Sequence, residues 1–249
     1  MELPNTRRFF VPPTALQADA VRIADQGLAH QLARVLRLGP GDEVLLLDGA
    51  GQACLVELTA LGRDTVAGRV LRREPAGGEP LVAVSIYLAL MRAERFEWAL
   101  QKCVELGARR IVPVQFARSL PADRADGRRL ERWRRIAREA AEQACRGLLP
   151  EIAEPLPFAD ACAEAARLEL ALILWEQEAP PLRSALRAGP RPASVAILSG
   201  PVGGITREEL TAAGQHGIMP VSLGPRILRA ETAPIAALAA LMYELEDAS

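Results

Sequence analysis

Leu198-Ser199-Gly200-Pro201-Val202-Gly203-Gly204-Ile205 closes one apolar run of this chain, and Val221-Ser222-Leu223-Gly224-Pro225-Arg226-Ile227-Leu228-Arg229-Ala230-Glu231-Thr232-Ala233 closes another. The runs, Val195 to Leu198 and Ile218 to Leu223 (broken by Pro220), are short. Apolar runs that end in glycine read as buried parallel strands opening into loops at their carboxyl ends. Ligands of open α/β sheets bind at that edge. Two such loops are expected to share one pocket built from backbone groups.

Working outward, residues 81–249 alternate between strand and helix patterns. Leu81 to Leu90, Ile111 to Val114 and Leu168 to Trp175 are apolar strands. Glu94 to Leu106 is a helix burying Phe96, Leu100, Cys103 and Val104, with Gly107 as its stop. A longer amphipathic helix is marked by Leu130, Trp133, Ala137, Ala140, Ala144 and Leu148. Its polar side is expected to carry Glu139, Gln143 and Arg146 as one stripe. Thr206 to Glu209 forms a capping box opening a helix after the first glycine loop. Glu231 to Leu245 is apolar on nearly all sides, so it must be buried, and a dimer interface is one way to bury it.

The first 73 residues read as a small β-barrel. Arg8 to Val11, Ala20 to Ile23, Glu43 to Asp48, Ala53 to Leu58 and Thr65 to Leu71 are plausible strands. Gly27 to Leu38 has helical spacing, with Leu28, Leu32, Val35 and Leu36 on one face. Residues 74–80, rich in Pro and Gly, are expected to link the two domains.

At 249 residues the chain fits one large domain or two modest ones. No apolar stretch reaches the ~20 residues of a membrane span, and Met1 to Asn5 carry no apolar signal core. A cytoplasmic setting is expected. Cys54, Cys103, Cys145 and Cys162 lack metal or disulfide spacing and read as reduced core thiols. Net charge is −1, but Arg92 to Arg146 holds fourteen basic and eight acidic residues. That excess suits either a solvated helix face or a polyanion-facing surface.

Several chemistries are excluded. The glycine loops do not match GxGxxG and come late in the chain, and no GxxxxGK, HExxH or GxSxG occurs. Neither His30 nor His216 has a metal-ligand partner at useful spacing, so no metal is expected.

The wording of the loops, GPxGG followed by SLGxRILRxETA, closely resembles the SPOUT class of RNA methyltransferases, nearest to the RsmE family. Supporting stretches are Gln101 to Gly107, Trp133 to Pro150, and Arg7 to Val11 with His30, Val35 to Arg37, Gly41 and Asp42. The chain departs from the family pattern at Val202 (usually Glu), Ala230 (usually Thr) and Ala144 (usually Ser).

The resemblance implies an α/β fold: a trefoil-knotted parallel sheet flanked by helices, preceded by a PUA-like β-barrel. It implies methylation of uridine N3 in 16S ribosomal RNA with S-adenosylmethionine as methyl donor, in a homodimer. Cofactor contacts are expected from Leu174, Trp175, Leu198, Ser199, Gly200, Pro201, Gly203 and Gly204. The second loop adds Ser222, Leu223, Gly224, Ile227, Leu228, Arg229 and Thr232. Ile205, Leu223, Ile227 and Leu228 could form apolar walls. Arg229, Glu105, Lys102 and Glu231 are the candidates for proton removal or for stabilising a uracil anion. RNA contacts are assigned to Arg7, Arg8, Arg34, Arg37, Gln143 and Arg146. Two alternatives stay open: an RNA-binding or ribosome-assembly protein without turnover, motivated by Val202, and a methyltransferase acting on another RNA.

Overall fold

The computed structural model describes residues 7–119 and 127–246. Met1 to Asn5, read above for a signal core, lie outside them. The chain divides into two units, residues 1–79 with 141–149, and residues 80–140 with 150–249.

In the first unit, β1 (Arg8–Phe10), β2 (Ala20–Ala24), β3 (Glu43–Leu47), β4 (Gln52–Leu61) and β5 (Thr65–Pro75) form one sheet in the order β1-β3-β4-β5-β2. All neighbours are antiparallel except β1 and β3. Period-2 alternation places Val44, Leu46, Val56, Leu58, Val21 and Ile23 in one core. Helix α1 (Gln26–His30) covers it, capped by the Asp25 carboxylate, which accepts from the Leu28 amide at 3.0 Å. Its continuation, Gln31–Val35, is a π-helical turn. The wider turn keeps Leu32 and Leu36 against the core and leaves Val35 63% exposed. The expected 3.6-residue period therefore fails at Val35. The linker expected over 74–80 begins inside a strand, because β5 runs to Pro75.

The second unit holds β6 (Ala83–Ala89), α2 (Ala93–Glu105), β7 (Arg110–Gln115), β8 (Glu151–Ile152), β9 (Leu156–Pro157), α4 (Phe158–Ala165), β10 (Leu170–Leu174), α5 (Leu182–Leu186), β11 (Ser194–Ser199), α6 (Arg207–Gln215), β12 (Met219–Val221) and α7 (Thr232–Leu245). Helix α3 (Gly127–Gln143) crosses from this unit into the first. Every pairing in the sheet is parallel, in the order β12-β10-β11-β6-β7-β8, with β9 also on β7. Tyr87, Val112, Ile173, Ala196 and Leu198 lie in its main core. No helix among the described residues is long and apolar enough to cross a membrane.

Two expectations change here. Helix α3 ends at Gln143, and Cys145 turns the chain with φ 58°, so Arg146 leaves the helical stripe. Arg146 is 1% exposed, and its guanidinium meets the Glu79 carboxylate at 2.7 Å. The same carboxylate accepts from the Gly147 and Leu148 amides, each at 3.0 Å. Arg146 is therefore part of the first unit's interior, not a ligand-facing cation. Cys145 is exposed, against the reading of four core thiols. Burial pushes the Cys103 thiol up to about 12 and the Cys162 thiol up to about 11, so both stay protonated at neutral pH.

Removing one partner of a buried ion pair leaves the other desolvated and unpaired. Arg146→Ala is expected to destabilise the protein by about 3–5 kcal/mol in urea titration; a surface RNA contact would leave the midpoint unmoved.

A second ion pair carries a pH signature. Burial alone would raise the Glu164 carboxyl, but hydrogen bonds from Arg110 and Tyr87 outweigh it and hold Glu164 below its ordinary value. A depressed carboxyl stabilises the fold above its unfolded pKa, and that contribution is lost as pH falls through the folded value. Glu164→Gln is expected to flatten the acid-side decline of the melting temperature; an unchanged decline would contradict this.

Candidate active site

Strand β10 lies between β11 and β12, with Ile173 beside Leu198 and Leu174 beside Val221. All three run the same way, so their carboxyl ends reach one edge together. Beyond that edge, Trp175 N donates to Val221 O at 3.0 Å, and Leu182 N to Ser222 O at 3.0 Å. The loops after the three strands enclose a cavity of about 430 Å³, within the range of small-molecule sites.

Leu174 and Trp175 line it from the first loop. Ser199, Gly200, Pro201, Gly204 and Ile205 line it from the second. The third contributes Ser222, Leu223, Gly224, Ile227, Leu228 and Arg229. Three expected contacts fall outside the lining. Leu198 is the fully buried end of the strand beneath the loop, Gly203 turns its carbonyl to Arg118, and Thr232 begins α7. At Gly204, φ is +76° and an added Cβ would lie 3.2 Å from the Glu176 carboxylate, so any side chain there is strained.

A buried carboxylate locks the second loop. Glu209 Oε2 accepts from Thr206 N at 2.9 Å while Thr206 Oγ1 accepts from Glu209 N at 3.1 Å, completing the capping box. Glu209 Oε1 also accepts from Ala117 N at 2.7 Å, tying in the loop after β7. In that loop, Arg118 Nη1 donates to Gly203 O at 2.9 Å. The GPVGG turn is thus held from outside by a carboxylate and a guanidinium.

Charge at the cavity comes from Arg95, Arg226 and Arg229 against Glu176 and Glu231. Glu231 is 9% exposed. Its Oε1 lies 3.7 Å from Arg95 Nε and 4.0 Å from Arg229 Nη1, and its Oε2 is buried without a hydrogen-bond partner. Arg95 was not anticipated. Arg95 had a readable signal: it opens the helix after β6, the strand beside β11, and so arrives at the same edge.

Lys102 and Glu105 do not line the cavity. They pair with each other at 2.8 Å near the far end of α2. That helix has 13 residues, so its ends lie about 20 Å apart. In the first unit, Arg7 donates to Leu36 O and Arg8 to Cys145 O, each at 3.1 Å, while Arg34, Arg37 and Gln143 are exposed. Among the described residues no group of three or more His, Cys, Asp or Glu could hold a metal.

The family model for the RNA methyltransferase domain matches residues 78–242, and that for the RNA methyltransferase PUA domain matches residues 28–71. A ribosomal RNA small subunit methyltransferase E from Synechocystis sp. is 37% identical over 242 residues, covering 96% of this chain and 78% of that protein. The chain belongs to this methyltransferase family. Its Bacillus subtilis member is 31% identical over 224 residues, covering 87% of this chain and 88% of that one. This methyltransferase also resembles the crystal structure of the Neisseria gonorrhoeae member bound to S-adenosyl methionine, with TM-score 0.87 and 29% identity over 96% of this chain and 98% of that chain.

Glu209→Ala leaves two amides without their acceptor, and each unsatisfied buried group costs about 1–3 kcal/mol. A lower melting temperature and weaker binding in the loop cavity are expected together, read by calorimetry; a stable variant with unchanged binding would refute the lock.

Proposed function

We propose that this methyltransferase transfers the methyl group of S-adenosylmethionine to N3 of a uridine in 16S ribosomal RNA. The observation that carries the reading is the cavity shared by both glycine loops, with Glu231 in its lining. Its volume and its mixed polar and apolar lining fit a small bent nucleoside. When bound, S-adenosylmethionine supplies an electrophilic methyl on a sulfonium. The protein must then orient the uracil and favour loss of its N3 proton. Arg229 and Arg95, both in the lining, are the groups that would stabilise an anionic uracil, and the Glu231 carboxylate the one that would accept a hydrogen bond from a ligand N–H. Lys102 and Glu105 are left out of this assignment because they lie away from the cavity. Leu198, Gly203 and Thr232 act from behind the lining, as supports.

The knotted threading belongs to the same proposal, supported by β12 lying across β10 from β11. So does the homodimer. On α7, Ala239, Ala240 and Tyr243 form an exposed apolar stripe, Tyr243 being 85% exposed, which a second copy would cover. Arg7, Arg8, Arg34, Arg37 and Gln143 remain proposed RNA contacts.

The reading without turnover rests on Val202, which is 64% exposed at the cavity rim. Arg118 holds the neighbouring Gly203 carbonyl, so the turn does not depend on a carboxylate at 202.

Labelled methyl from S-adenosylmethionine is expected in small-subunit RNA, mapping to N3 of one uridine. RNA binding with no transfer would establish the reading without turnover, and a label on another RNA would redirect the substrate. An added Cβ at Gly203 would meet Arg118 Cβ at 3.0 Å and press on the turn, so Gly203→Val should weaken calorimetric cofactor binding. Equal binding by parent and variant would contradict a cavity shaped by that turn.

A further inference from the structure

We propose that Val202 and Ile227 form an apolar lip at the mouth of the loop cavity, which holds the ring faces of the extruded target uracil. Both are then specificity contacts for the base and not for the cofactor. This rests on the uridine methyltransferase reading and adds to it the side chains that receive the base.

Val202 lines the cavity from the glycine turn after β11, and Ile227 from the loop after β12. They are 64% and 80% exposed, whereas Leu174, Trp175 and Ile205 of the same lining are buried. A side chain that borders the cavity and still faces water stands at its opening. The expected role of Ile227 as a cofactor wall therefore gives way to one at the entrance. Among the described residues, no other large exposed apolar side chain borders the cavity. Single apolar residues scattered on a surface need no explanation, but two at the mouth of one cavity do.

Both side chains stand on held backbone. Gly204 N donates to Pro201 O at 2.9 Å, closing the turn that carries Val202. Gly224 N donates to Ser222 Oγ at 3.1 Å, and the Thr232 and Ala233 amides donate to Arg229 O at 2.9 and 3.0 Å, so the Ile227 loop is fixed at both ends. A β-branched side chain on a fixed backbone loses little freedom when it is covered. Position and charge then identify the occupant. The second substrate enters from solvent and so passes the lip. Arg226 adjoins Ile227, and Arg229 follows two residues on, both exposed and both in the lining with Arg95. That positive mouth suits a nucleotide, whose phosphate and base oxygens are anionic or electron-rich. Uracil carries its polar atoms on its edge and presents two ring faces with none. Enzymes hold an extruded base by apolar side chains against its faces and by hydrogen bonds at its edge. Here the lip supplies the first and the arginines the second.

The test compares the full parent chain with Val202→Ser, Val202→Ile and Ile227→Ser. Fluorescence anisotropy follows a 16S ribosomal RNA fragment carrying the uridine that the parent methylates, and the same fragment made abasic at that nucleotide. Val202→Ser is expected to bind the uridine fragment roughly 3- to 10-fold more weakly, through the apolar area withdrawn from the base. The affinity of the abasic fragment should not change. KM for RNA should rise by the same factor, and Val202→Ile should bind as the parent does. Calorimetric S-adenosylmethionine binding and the melting temperature should be unchanged at this exposed position. Ile227→Ser should repeat that selectivity; loss of cofactor binding instead would overturn the assignment of Ile227 to the base. Equal losses on both fragments, or none on either, would overturn the lip while methyl transfer by the parent upheld the functional reading. A monomer–dimer equilibrium shifted by Val202→Ser in analytical ultracentrifugation would mark a subunit contact and also overturn it. No methyl transfer by the parent would remove the reading on which the lip rests and overturn both.

Discussion

The site depends on one constraint: β10 pairs in parallel with β11 on one side and β12 on the other. The chain leaves β10, crosses to β11, then returns past β10 to form β12. A parallel sheet sets every carboxyl end on the same edge, and the hydrogen-bond register fixes their heights. Because Leu174 sits beside Val221 and Ile173 beside Leu198, the three loops leave the sheet nearly level. Such a reversal opens a crevice that helices do not fill, which is where open α/β sheets bind ligands. The same edge receives α2 from β6, and with it Arg95.

A loop held by hydrogen bonds to its backbone tolerates change in the side chains that decorate it. That accounts for Val202 at the rim. The turn is held by Glu209 and Arg118 from the neighbouring loop after β7, so its shape is set by hydrogen bonds to amides and a carbonyl. The chemistry then rests on few side chains. Glu231, flanked by two arginines and retaining one partnerless oxygen, is the most constrained of them.

Much of this was legible in the sequence. Alternation with turn residues revealed all five strands of the first sheet, and the two glycine loops pointed to the cavity. What escaped depended on backbone detail or on distance through space. The π turn moved Val35 outward while keeping Leu36 inward, and no spacing rule reveals an inserted residue. Arg146 read as a helical stripe because the left-handed turn at Cys145, a residue that rarely adopts one, has no sequence signal. Lys102 and Glu105 matched a family stretch, but a helix carries its two ends far apart.

The most direct measurement is a crystal structure of this chain grown with S-adenosylmethionine. The account predicts a bent cofactor between residues 199–204 and 222–229, with the Glu231 carboxylate beside the bound ligands. Cofactor density elsewhere, or a cavity left empty at saturating concentration, would contradict it.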